Sequence, residues 1–428
     1  MRKFYPFHVE DIEVFKKQIL SLSDTVKHFC YLDDNHYPNY PKTAFKTLIA
    51  IDAIHTLSAN ENCLQQLQKF QNQHPDWMFG CLSYAVSNEI IPIKKKGKTD
   101  NLLFPLVCFF TPKYLVKIEN GKVEIGVHNK ALLAEFEQII LNTNTFKQLY
   151  LTQPVKLQSN TTKDQYLSSI EKIKNHIQRG DIYEMNYCME FYAKNASIHP
   201  VSVFTKLNSI SKAPFSSFLK TNTQYILCAS PERFIKKQDG ILISQPIKGT
   251  RKRTHIENTD IALRTELQNN EKEKSENVMI VDLVRNDFSK IAKPRTVDVA
   301  ELFGVYSFEQ VHQLISTICC EIPASMSLSA VLNATFPMGS MTGAPKISAL
   351  QLIETYEKSN RSLYSGSIGY ITPQGDFDFN VVIRSILYNQ ETKYVSVSAG
   401  SAVTADCVAE TEYEECLIKA EAMFAALS

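Results

Sequence analysis

A chain of 428 residues, 44% hydrophobic and 21% charged, has the composition of a soluble globular protein with room for two or three domains. Its net charge of +1 gives no electrostatic basis for holding nucleic acid or an anionic membrane, and no apolar window is long enough to span a bilayer. Ten cysteines without a C-x-x-C pair, and an N-terminus lacking an apolar run behind Arg2 and Lys3, point to reduced thiols in a cytoplasmic protein.

Residues 1–150 read as a first region of mixed signals. Ile12, Val14, Phe15 and Ile19 have helical spacing, and Phe29-Cys30-Tyr31-Leu32 reads as a strand ending at the turn Asp33-Asp34-Asn35. The segment from Trp77 to Tyr84 reads as a strand with a close-approach glycine, Gly80. Lys94-Lys95-Lys96-Gly97-Lys98 reads as a solvated loop, and two strands are expected on either side of Thr111-Pro112-Lys113. Asn142-Thr143-Asn144 and Gln153-Pro154 mark a linker, with a second region over 155–428.

In that second region Thr162 and Gln165 make a capping box for a helix with Tyr166, Ile170, Ile173 and Ile177 on one face, closed at Arg179-Gly180. Strands over Tyr225–Cys228 and Phe234–Lys236 are expected to pair around Ser230-Pro231-Glu232-Arg233. Gly240 to Ser244 forms a strand after an Asp-Gly turn, placing Lys248 at a strand end between Pro246 and Gly249. A polar stretch from Asn258 leads into a helix around 275–285 with apolar residues on most sides, hence a buried one. The loop 337–345 runs into a helix with proline near its start, which suits an anionic group such as a carboxylate. Strands follow over Leu363–Ile371, Asp376–Leu387 and Lys393–Ala399, the first two joined as a hairpin. The final helix runs from about Glu410 to Leu427, with Tyr413, Leu417, Ala420 and Phe424 on its apolar face.

Six motifs occur in order: GDIYEMNY (180–187), SPERF (230–234), PIKGTRKR (246–253), SENVMIVDLVRND (275–287), GSMTGAPK (339–346) and ETEYEEC with a lysine at 419. In these the chain resembles the chorismate-utilising enzymes, strongly over residues 160–425 and loosely before. The resemblance implies an α+β fold: two large, mostly antiparallel sheets forming a sandwich core with peripheral helices. Within the family, lysine in PIKGT and Glu184 in place of a water-activating lysine resemble the aminodeoxychorismate synthase branch. An anthranilate synthase and a non-catalytic chorismate-binding subunit are the alternatives.

That branch implies conversion of chorismate and ammonia to 4-amino-4-deoxychorismate. By resemblance, Lys248 is the nucleophile that attacks C2, Glu232 the acid that protonates the departing C4 hydroxyl, and His312 a catalytic group near the reacting ring. Glu276, Glu412 and Glu415 would hold Mg²⁺, and Thr250, Ser340, Tyr370, Arg384, Lys419 and the backbone at Gly400 and Ala402 would bind the substrate. Gly400-Ser401-Ala402 departs from the family's Gly-Ala-Gly, and Ala402 serves only if its φ is negative. The tryptophan-pocket motif is replaced by Tyr31-Leu32-Asp33-Asp34. Asp282, Arg285, Asn286 and Asp287 read as structural pairing, and Cys188 and Cys228 as core. With no glutaminase signature, ammonia is expected from a separate glutamine amidotransferase subunit.

Overall fold

The computed structural model describes residues 1–37, 40, 45–94, 96–143, 154–309 and 311–428. The expected linker therefore falls largely outside the described residues, as does Lys95 of the basic run; Lys94 and residues 96–98 are loop. Every strand pairing among the described residues is antiparallel, within one connected network of 20 strands.

Alternation along the strands divides that network into two layers. On the strand His28–Asp33, Phe29 and Tyr31 enter one core while Cys30 and Leu32 enter another. Leu48 and Ala50 likewise point away from Ile49 and Ile51, because successive side chains leave opposite faces of a strand. The first core, with Phe45, Phe79, Phe109, Phe215, Phe234 and Phe379, lies between two sheets. The second lies between one of these sheets and the helices Lys163–Gln178, Pro200–Ser211 and Ala409–Leu427.

The helix-covered sheet runs from Lys3–Phe7 through Lys122–Val127, Val107–Glu119, Thr47–Ala59, His28–Asp33, Phe215–Thr221, Gln224–Ser230, Ser385–Asn389 and Tyr394–Val403 to Glu184–Ala193. The opposing sheet runs from Met78–Leu82 through Ser367–Ile371, Phe377–Asn380, Arg233–Gln238 and Ile241–Gln245 to Val311–Glu321. Ile247–Lys252 and Asp298–Ser307 complete its far edge, beneath the helix Glu271–Ser289. Strands from both sequence regions thus pair within each sheet. This is the expected α+β arrangement.

Three expectations about strands are corrected. Val107–Glu119 is a single strand through Pro112, which is tolerated because it sits at a register shift opposite Ala53 and His55. The hairpin comes later, at Asn120-Gly121, where both residues have positive φ. Gln224–Ser230 and Arg233–Gln238 do not pair with each other: they belong to opposite sheets, and 230–233 crosses the sandwich. The expected strand 376–387 also breaks, into Phe377–Asn380 and Ser385–Asn389, and crosses back beside the first crossing. Val381 N–H donates to Glu232 O (3.0 Å) and Ala229 N–H to Arg384 O (3.1 Å).

The helices follow their local signals more closely. Thr162 and Gln165 form the capping box, Gly180 takes φ +80°, and Tyr166, Ile170 and Ile173 are fully buried. Burying each isoleucine stabilises the fold by about 1.5–3 kcal/mol. The polar stretch after Asn258 is itself a helix, Glu257–Asn269, of which only Leu267 is buried. Glu271–Ser289 buries one face, leaving Val278 exposed, so it is less enclosed than expected. All ten cysteines are free, Cys188 and Cys228 among the buried ones. Among the described residues no helix is long and apolar enough to cross a membrane.

Candidate functional site

The sheet crossing explains how Glu232 comes to be buried. Ser230 ends a strand of one sheet and Arg233 starts one of the other, so Glu232 is left in the gap at 5% exposure. Arg233 anchors the crossing through a bidentate pair with Asp378 (2.9 and 3.0 Å), both residues being buried. Burial pushes the Glu232 carboxyl up to about 7, against the opposing pull of the Ser340 hydroxyl, Lys248 and Lys419. Ser340 Oγ donates to Glu232 Oε1 at 2.6 Å. Its hydroxyl is thus held by the Glu232 carboxyl.

Lys248 is delivered by a bulge. Ile247 pairs with Ile315 and Thr250 with Gln313, leaving one extra residue on the Lys248 side, and Gly249 absorbs it at φ +91°. The lysine thus lies within a short edge strand, not in a loop after one. Its Nζ donates to Glu184 Oε1 at 2.5 Å, with the two side chains 10% and 1% exposed. Burial alone would lower the Lys248 pKa, but Glu184, Glu276 and Glu232 outweigh it and hold the amine above its ordinary value. Glu184 Oε2 is buried with no hydrogen-bond partner among the described residues. The GSMTGAPK segment closes this side, since Gly343 and Ala344 pair with Met185 and Glu184. Pro345 caps the helix that follows, and Lys346 turns back to Asp287.

Two helices add further carboxylates. Glu276 projects from Glu271–Ser289, and burial pushes it up to about 7 against the pull of Lys248. Glu412 projects from the C-terminal helix and is raised by burial and by Glu415. Burial would also raise Glu415, but Lys419 and Lys248 outweigh it and hold the group below the usual carboxylate range. Lys419 pairs with Glu415 and donates to Gly400 O at 2.9 Å. Among the described residues no three His, Cys, Asp or Glu side chains already converge as a cation site. Glu276 and Glu412 instead share an ammonium, that of Lys272, at 3.8 and 3.9 Å.

The remaining expected residues divide. Arg384, at φ +52°, lies within electrostatic reach of Glu415 and Tyr364, and burial lowers its pKa. Gly400 and Ala402 lie on one strand opposite Cys188 and Asn186, and Ala402 is not among the positive-φ residues, as its role requires. Thr250 lies two residues beyond Lys248 on the same strand. Tyr370 is not brought to the cluster: its ring packs against Trp77 and Phe79 in the sandwich core. The tyrosine near Arg384 is Tyr364, which sequence reasoning missed; its buried hydroxyl lies 3.8 Å from Cys188 Sγ. His312 is bonded to Ser307 Oγ (2.8 Å) and Asp260 Oδ1 (3.1 Å), and Asp260 in turn pairs with Arg253. Asp282 pairs with Arg285, and Asp287 with Lys290 and Lys346, as the structural reading expects. Lys272 was the other omission; its i,i+4 spacing to Glu276 was the available signal.

Known proteins with the same features are numerous. Aminodeoxychorismate synthase component 1 of Salmonella typhimurium is 38% identical over 307 residues, 68% of this chain and 67% of that protein. The Escherichia coli protein of the same name is 38% identical over 258 residues, 60% of this chain, and the match spans only 56% of that relative's length. Anthranilate synthase component I from Streptococcus pneumoniae shares the fold at a TM-score of 0.77 and 23% identity, covering 91% of this chain and 94% of that one. The menaquinone-specific isochorismate synthase of Escherichia coli does so at 0.78 and 18%, covering 100% and 94%. Residues 28–425 match the chorismate binding enzyme family, and the chain belongs to that family.

Proposed function

We propose that this protein aminates chorismate at C4, giving 4-amino-4-deoxychorismate and water, on the path to 4-aminobenzoate and folate. The observation that carries the reading is the buried Lys248 amine beside Glu184, within electrostatic reach of Glu232 and Glu276. The names of the relatives, aminodeoxychorismate synthase component 1, support the same choice.

Lys248 must lose its proton before it can attack. Glu184 is the acceptor in contact, and its unpartnered Oε2 offers a second oxygen to hold that proton. The free amine then bonds to C2 of chorismate while both ring double bonds shift, from C1=C2 and C5=C6 to C1=C6 and C4=C5, and the C4 hydroxyl leaves. Glu232, kept partly protonated near neutral pH, gives that hydroxyl its proton, so that water departs. Ammonia next bonds to C4, both double bonds return to C5=C6 and C1=C2, and the C2–N bond to Lys248 breaks. Glu232, now a carboxylate, takes the proton that the incoming nitrogen sheds. Arg384 and Lys419 supply positive charge for the substrate carboxylates.

Glu276 and Glu412 would hold Mg²⁺, with Glu415 contributing after release from Lys419. Their fit to a hard cation rests on two buried carboxylates facing one shared positive charge. When bound, the ion would neutralise a substrate carboxylate and draw electron density from the ring. The word "component" in the relatives' names supports a second subunit, a glutamine amidotransferase that supplies ammonia.

The test is product identification from chorismate, Mg²⁺ and ammonium, followed by a 4-amino-4-deoxychorismate lyase. Formation of 4-aminobenzoate is the expected result. Anthranilate in its place would refute the reading, as would unimpaired turnover by Lys248→Ala for the covalent step.

A further inference from the structure

Glu276 and Glu412 come from different helices and meet through one side chain that belongs to no chemical step. Lys272 Nζ lies 3.8 Å from Glu276 Oε1 and 3.9 Å from Glu412 Oε1. It rises from the same helix as Glu276, one turn earlier. The two carboxylate side chains are 11% and 4% exposed, that of Lys272 53%. A solvated stem therefore carries its ammonium inward to two buried anions, at ion-pair distance but without close contact. Such open pairs hold loosely, and a four-carbon stem can swing back into water.

We infer that Lys272 is a tethered counter-ion. Its ammonium pairs with both Glu276 and Glu412, yields that place to the divalent cation, and so sets how tightly the cation binds. The inference rests on the cation reading of those two glutamates given above. Without a positive charge the two carboxylates, with Glu184 and Glu415 close by, would face one another unscreened. With a divalent cation bound, an ammonium at the same point would repel it strongly. One side chain thereby stabilises the two glutamates and opposes cation binding between them. A lysine with a merely structural role would do only the first.

The experiment titrates Mg²⁺ into the full chain, reading binding by calorimetry and by thermal melting, for wild type, Lys272→Met, Lys272→Arg and Glu276→Gln. Lys272→Met should melt lower in EDTA yet bind Mg²⁺ about five-fold more tightly, whereas Lys272→Arg should stay within about two-fold of wild type. In the unmutated protein, reductive methylation of Lys272 should accelerate once Mg²⁺ saturates the site; this arm also decides the matter if Lys272→Met does not fold. If wild type binds Mg²⁺ and Glu276→Gln does not, yet Lys272→Met shows unchanged or weaker affinity, the counter-ion role is wrong and the cation reading stands. Methylation of Lys272 unaffected by saturating Mg²⁺ would overturn the counter-ion role in the same way. If wild type binds no Mg²⁺, the cation reading itself falls and takes the inference with it.

Discussion

Replacing Glu232 by glutamine should make the protein more stable at alkaline pH while abolishing turnover. A carboxyl with its folded pKa raised from 4.5 to about 7 favours the folded state only while protonated. Its contribution is complete below about pH 4.5 and is lost as the pH rises through 7, where ionisation must occur inside the sandwich. At 1.36 kcal/mol per pH unit, that rise corresponds to about 3 kcal/mol of destabilisation in the wild type at pH 8.5. Glutamine keeps an oxygen to accept the 2.6 Å bond from Ser340 and carries no charge at any pH. Wild type and Glu232→Gln should therefore melt within a degree of one another at pH 5. By pH 8.5 the variant should lead by about 3 °C, given the unfolding entropy of a chain this long. The assay is thermal melting of both proteins across that range, in EDTA so that added cations do not alter the local field. A difference independent of pH would refute the argument, since it would mean that Glu232 ionises in the fold as easily as in water.

Three further outcomes rest on individual contacts. Lys248→Met and Glu184→Gln should each cost about 3–5 kcal/mol, because each leaves a buried partner unmatched, whereas the double variant should cost far less; additive losses in a thermal-melting cycle would deny the pair. Gly80→Ala should cost about 3 kcal/mol or prevent folding, since a Cβ there would sit 2.0 Å from Cys108 O; a melting temperature near wild type would contradict the strand register. Asp378→Asn should remove about 3 kcal/mol by leaving the buried Arg233 guanidinium half-paired, and should slow chorismate turnover because Arg233 adjoins Glu232; a stable but equally active variant would separate the anchor from the acid.

Local chemistry in the sequence was legible where it dictates backbone shape. Thr162 with Gln165, Gly180 and the strand-like run Phe29–Leu32 each act within a few residues, and each appears in the structure as read. The crossings were not legible. Val381, Val382 and Ile383 carry strand-forming side chains throughout, so nothing local announces that the chain leaves one sheet for the other. Pro112 misled in the opposite direction: it reads as a turn, yet a register shift lets it remain inside a strand. Motif order located Lys248, Glu232, Glu276 and Glu412, but resemblance alone put weight on Tyr370 and His312. The structure puts Tyr364, not Tyr370, near Arg384, and bonds His312 to Asp260 and Ser307.

The crossings also explain why the site is costly to build and yet persists. Two chain segments pass between the sheets side by side and satisfy each other's backbone groups, Val381 with Glu232 and Ala229 with Arg384. That mutual bonding lets an acidic side chain enter an apolar interior without orphaning the peptide groups that carry it. Once there, Glu232 is raised by that burial to about 7, and Glu276 is raised in parallel. Lys248 relieves both only in part, since burial outweighs its pull on each and its hydrogen bond goes to Glu184 at 2.5 Å. Five carboxylates, of Glu184, Glu232, Glu276, Glu412 and Glu415, thus gather in one cluster, and a cation, or a dicarboxylate brought in with its own counter-ion, would relieve their repulsion. A cation or ligand that binds and neutralises the site should therefore raise the melting temperature.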